Sequence, residues 1–170
     1  MTRNEVQEYL NKIDDLTREI NQHVPDSGPS STIFRADLAG LLVVSIASTY
    51  ETCVKETLIS YANGHHQAFG NFATNNFSKM NSKINIGDLH KYTKLCDSSI
   101  STKFKDGLKA RKNLLYERIG KDIVEAYNQI LSWRHDFAHA WIRNTTIEEA
   151  MSTHHLAKRV LYEFAQSFES

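Results

Sequence analysis

The residues best equipped for chemistry form one segment, Trp133-Arg134-His135-Asp136-Phe137-Ala138-His139-Ala140. An imidazole has a reference pKa of about 6.5, so it can take up or release a proton near neutral pH. A guanidinium is permanently charged and presents paired N–H donors that match the oxygens of a phosphate or a carboxylate. Arg134 follows Ile130 by four residues and extends the edge of an apolar stripe toward a helix end. A permanent cation on that edge requires a partner or water. Arg134 and His139 differ by about 140° around an ideal helix. A straight helix of one chain therefore cannot turn both toward one ligand. A helix ending between them, or a second chain, would bring them together.

Two further readings of the segment stand beside this one. In the first, Arg134 pairs with an acid and His139 caps a helix end. In the second, His135 and His139 share a helical face and hold a metal, as in zinc peptidases. Asp136 reaches less far than the glutamate of that motif, and no third ligand stands out downstream. The His135-Asp136 pair also resembles HD-type phosphohydrolases, without a matching upstream histidine or a paired downstream aspartate. No metal and no other cofactor is expected. His65-His66 and His154-His155 are neighbours, and neighbours on a helix diverge by about 100°. Neither pair is a chelate by itself, and His154 reads as a hydrogen-bonded core residue.

The elements that would position the segment are helical. Val6, Leu10, Ile13, Leu16 and Ile20 form a first three-and-four stripe. Residues 25–31 hold both prolines and break it as a loop. A second helix is predicted from about Phe34 to Ala62, with an apolar arc wide enough to place it at the bundle centre. Residues 65–83 carry two of their neighbourhood's turn signals, Gly70 and an asparagine-rich run, and read as a long connection with at most a short helix. Phe69, Phe72 and Phe77 within it either anchor the connection or stack on bases. Ile86 to Leu95 marks a third helix, Phe104 to Ile119 a fourth, and Ile123 to Leu131 the stripe of a fifth that leads into the Arg134 segment. The last helix starts at Thr145 or Thr146, since Thr145-x-x-Glu148 and Thr146-x-x-Glu149 both fit a capping box. It runs on through Met151, His154, Ala157, Leu161 and Phe164. No strand-like alternation appears. The predicted fold is all-α, a single domain over residues 1–170 built as an antiparallel bundle of five to six helices.

Composition narrows the setting. With 41% hydrophobic and 24% charged residues in 170, the chain has the make-up of a globular protein able to bury a core. Its formal net charge is zero, so any nucleic-acid contact must come from local clusters. Lys103 to Lys121 is one such cluster. It includes Lys109, Arg111 and Lys112, which either track a phosphate backbone or form a solvated face. The first 20 residues are polar and mixed in charge, unlike a signal peptide. The apolar run from Leu38 to Ala47 is too short to span a bilayer, so no membrane partner is expected. Cys53 and Cys96 are isolated, as in a cytoplasmic protein with free thiols.

Arg-(polar)-x-x-x-His at the end of one helix, then a turn and a capped last helix, resembles the HEPN superfamily. His135 fits the polar position after the arginine. Phe137-Ala138-His139 is similar to the Ile-Ala-His run of many members, with Ala140 where a glycine is common. Upstream, Ser48 to Leu58, with its Tyr50-Glu51 pair, resembles the second helix of the RiboL-PSP-type branch. The resemblance covers roughly residues 35–168. It implies metal-independent RNA cleavage by a homodimer whose two motifs line one cleft. In that picture His139 serves as acid or base, Arg134 binds the phosphate, His135 or Asp136 orients the site, and Glu51 supports it by holding Arg134. A toxin–antitoxin or antiphage setting, with an antitoxin or defence-system partner, is implied by the family alone. The alternative is a non-catalytic dimerisation or RNA-binding module that acts with a partner protein.

Overall fold

The computed structural model describes residues 1–24, 29–78 and 83–169. They form seven helices: α1 (Arg3–His23), α2 (Pro29–His65), α3 (Gln67–Phe77), α4 (Ile86–Cys96), α5 (Ser98–Ile119), α6 (Ile123–Ala140) and α7 (Ile147–Ser167). No strand occurs among the described residues. The all-helical expectation holds, and the count of five to six is corrected to seven.

The additional helix is α3, inside the stretch read as a connection. His66 caps it by accepting the Ala68 N–H at 3.1 Å. Gly70 acts as a close-approach residue, because a Cβ there would overlap the Asn63 side chain of α2. Phe77 meets Tyr92 of α4 edge-on at 5.7 Å, and Phe69 meets Tyr61 in the same manner at 6.4 Å. Those two rings anchor α3, whereas Phe72 is 59% exposed. The predicted loop at 25–31 also shortens. Its residues 25–28 lie outside the described residues, and α2 already begins at Pro29. A proline in the first turn forfeits no helical hydrogen bond.

α2 is the axis of the bundle and packs against α1, α3, α6 and α7. Leu42, Val43, Ile46, Tyr50, Val54 and Leu58 are fully buried along it. It is also the one helix among the described residues long and apolar enough to cross a membrane, by length and composition. The run judged too short from Leu38 to Ala47 is thus part of a much longer apolar helix. Its buried side chains fill the core of the bundle.

Three contacts carry the fold toward the Arg134 segment. Tyr50 of α2 stacks on Tyr127 of α6, with ring centroids 5.3 Å apart and planes within 5°. Tyr127 donates its hydroxyl to the Ile84 carbonyl at 2.8 Å, which ties the chain entering α4 to α6. Phe137 packs into the space over Gly40, where a Cβ would overlap its ring. The far end of α6 is set by Asp122. Its carboxylate accepts the Val124 N–H at 2.8 Å and pairs with Lys112 at 2.7 Å.

Candidate functional site

The buried stripe of α6 is Ile123, Ala126, Tyr127, Ile130, Trp133 and Phe137. That periodicity continues through the motif, so the helix does not end between Arg134 and His139. It closes only at Trp141, whose N–H reaches the Phe137 carbonyl at 3.0 Å. The first of the two ways to unite Arg134 and His139 is therefore excluded. Within one chain they point apart, as the ideal helix angle requires.

Arg134 and His135 line a cleft of about 360 Å³ between α2 and α6. α2 contributes Val44, Ala47, Ser48 and Glu51. Leu131 adds to the α6 wall, and Ile84 with Asn85 closes the end at the start of α4. Glu51 and Arg134 thus share the cleft. The pairing expected between them is replaced by another: Glu51 lies 3.8 Å from Lys55, one turn along α2. Among the described residues, no ion pair reaches Arg134. A cation lining a cleft with no ion pair of its own is open to an external anion.

His139 lies outside the cleft, exposed in the last turn of α6. Its ring centroid is 4.6 Å from that of His135. Among the described residues, no three His, Cys, Asp or Glu side chains come together as a metal site would require. Asp136 faces the following turn and accepts a hydrogen bond from the Asn144 side chain at 2.8 Å. It orients the backbone beyond the helix and does not line the cleft.

That turn shows what sequence reasoning missed. The left-handed residue is Trp141, at φ 54°, while Ala140, in the position where glycine is common, remains helical. An L-residue in that region costs about 1–2 kcal/mol. Side chains hold it there. The Trp141 ring rests 4.6 Å from Phe137, and its indole N–H donates to Asp37 at 3.2 Å. Arg143 donates to the same carboxylate at 2.5 Å and holds the Asp37 carboxyl below its ordinary pKa range. Asp37 gave no sequence signal, because its partners lie more than 100 positions away.

Residues 3–170 match the protein family described as RiboL-PSP-HEPN. The chain belongs to this family. Searches of curated proteins and of solved structures each returned no match. Proteins of the HEPN family are often ribonucleases, and HEPN domains often dimerise and bind RNA.

The basic residues proposed to support this HEPN chain's site lie elsewhere. Arg111 is committed to Glu163 of α7 at 2.9 Å, and Lys112 to Asp122. Lys109 is exposed on α5. Lys112 meets the N-terminal end of α6, which a rise of 1.5 Å per residue places about 18 Å from Arg134. The structure therefore does not gather Lys109, Arg111 and Lys112 at the cleft.

Proposed function

We propose that this HEPN protein is a metal-independent endoribonuclease acting as a homodimer in the cytoplasm, in a toxin–antitoxin or antiphage setting. The observation that carries the reading is the split of the motif along an unbroken helix. Arg134 lines a cleft and forms no ion pair among the described residues, and His139 stands exposed at the helix end.

Around that end the surface is apolar. Phe34 and Leu41 share a stripe of α2 with Asp37, whose carboxylate accepts from the Trp141 indole. Phe34, Leu41, Trp141 and Ile142 are each about half exposed or more, from 48% to 56%. A second copy placed over this face by a two-fold axis would cover it and bring two motifs together.

The reaction needs no group beyond these side chains. One His139 imidazole accepts the ribose 2′-OH proton while the 2′-oxygen attacks phosphorus. The bond to the 5′-oxygen breaks, and that oxygen takes its proton from the His139 imidazolium so formed. The products are a 2′,3′-cyclic phosphate and a 5′-hydroxyl. Arg134 places its N–H donors against the non-bridging oxygens as their charge redistributes. Asp136 serves as a positioning residue through the Asn144 turn.

The test is cleavage of RNA by purified protein in excess EDTA, with end-labelling of the products. Cyclic phosphate and 5′-hydroxyl ends support the reading. A requirement for added divalent metal, or 5′-phosphate ends, overturns it. RNA binding without cleavage supports the non-catalytic module instead.

A further inference from the structure

His135 and His139 stand one turn apart on the same side of α6, with ring centroids 4.6 Å apart and planes inclined at 51°. Residues four apart on a helix are surface neighbours, so the backbone itself holds the two rings close. His139 is exposed, and His135 is half-buried where it lines the cleft. The hydrogen bonds and ion pair made by histidine side chains involve His65, His66, His154 and His155. Among the described residues, none engages His135 or His139. Each of these two rings, when neutral, keeps a nitrogen lone pair for a ligand.

We propose that His135 and His139 form a two-ligand site for a divalent metal ion of zinc's class, and that zinc bound there switches off RNA cleavage. The switch rests on the ribonuclease reading of the same site; the metal site stands on the histidine pair alone.

Neutral imidazole suits zinc, copper and nickel, whereas magnesium and calcium take oxygen ligands. Two histidines on successive turns of one helix are an arrangement that holds zinc elsewhere. Zinc–nitrogen bonds of about 2.0–2.1 Å set two nitrogens of a tetrahedron about 3.4 Å apart. Rings whose centroids are already 4.6 Å apart reach that spacing by side-chain rotation, without a change in α6. A closed structural site has four protein ligands, and no third His, Cys, Asp or Glu joins this pair among the described residues. Water fills the remaining positions. Half of a full ligand set implies a dissociation constant on the order of 10 μM, so the ion comes and goes. Inhibition follows from the shared nitrogen. The lone pair with which His139 would accept the ribose 2′-OH proton is the pair it gives to the metal.

The experiment titrates the full-length protein with zinc chloride by calorimetry, in buffer free of EDTA, while NMR follows the imidazole signals. Saturable binding is expected, with shifts at His135 and His139, and magnesium should have no effect. His135→Gln and His139→Gln each remove one ligand and should weaken zinc at least ten-fold. His155→Gln, on the exposed side of α7, should leave the affinity unchanged. Circular dichroism checks that the variants stay helical. Saturating zinc is expected to slow RNA cleavage at least ten-fold, and EDTA to restore it. No zinc binding, shifts confined to other histidines, or an affinity unchanged in either pair variant would each overturn the site. Zinc held at the pair with cleavage undiminished would overturn the switch. Zinc held at the pair by a protein that cuts no RNA would uphold the site and remove the nuclease reading. Cleavage by a protein that binds no zinc at the pair would do the reverse.

Discussion

At the scale of single residues, two histidines on neighbouring helices have opposite fates. His139 is exposed, with the His135 ring 4.6 Å from its own. Its replacement removes a proton carrier and almost no buried contact. His139→Ala is therefore expected to abolish RNA cleavage while changing stability by no more than about 0.5 kcal/mol. Thermal unfolding beside a cleavage assay checks both, and full activity in the variant would remove His139 from the mechanism. His154 is fully buried, with Tyr50 Oη 2.9 Å from its Nδ1 and, among the described residues, no hydrogen-bond partner at its Nε2. Burial lowers its pKa to about 3, with Lys158 and His155 adding to the shift. The unfolded chain then binds the extra proton first as pH falls. The stability from a neutral His154 is whole above about pH 6.5 and declines as pH drops toward 3. From pH 7 to pH 5 the loss from this group is about 2 kcal/mol. Chemical denaturation across that range measures it. His154→Gln retains a side chain able to accept from Tyr50 but does not titrate, so it should flatten the acid limb. An unchanged slope in that variant would assign the acid loss to other groups.

At the scale of elements, the contact that seats the motif is the approach of α6 to α2 at Gly40. The Phe137 ring occupies the space a side chain would need there. Gly40→Val must push that ring aside, at a cost of roughly 1–3 kcal/mol as in other overpacked cores. Because Phe137 lies between Arg134 and Trp141, the same change should lower cleavage more than it lowers helicity. Urea melts, circular dichroism and initial rates compare the three; a variant as stable and as active as the parent would show that the contact does not position the site. Gly40 also shows where sequence reading stops. In the sequence it is a break in an apolar run, and only the facing ring gives it a purpose. The same holds for Gly70 against Asn63, which made α3 read as a connection. By contrast, α1, α4, α6 and α7 were legible because each carries a one-sided apolar stripe. The last of these also has a readable cap, since Thr146 accepts the Glu149 N–H at 3.1 Å. Glu149 completes no reciprocal box; its carboxylate accepts from Thr145 instead. Of the site, Arg134, His135 and Glu51 could be chosen by chemical type and are brought to one cleft. Ser48, Asn85 and Asp37 could not, because what makes them useful is a neighbour distant in sequence.

At the scale of the whole molecule, geometry within one chain leaves the chemistry incomplete. Arg134 is in the cleft, His139 is on the outer end of the same rigid helix, and no break in that helix joins them. Trp141 and Ile142 follow that end, and Phe34 and Leu41 flank Asp37 and Gly40, which contact it; a two-fold contact there would bury these four exposed side chains. The protein is expected to be a dimer by light scattering at assay concentration; a strict monomer that cleaves RNA would exclude a shared site. A sharper test uses two inactive variants, Arg134→Ala and His139→Ala, unfolded and refolded together. In a mixed dimer one chain keeps Arg134 and the other keeps His139. If a working site pairs Arg134 of one copy with His139 of the other, each mixed dimer holds one intact pair and one site lacking both. Random pairing makes half of the dimers mixed, so about a quarter of the parental sites are restored when dimers reassemble statistically. Each variant refolded alone stays inactive, because every one of its sites lacks a partner. Should the mixture also stay inactive while mixed dimers are seen by native mass spectrometry, each site is built within one chain. The apolar face would then serve assembly alone.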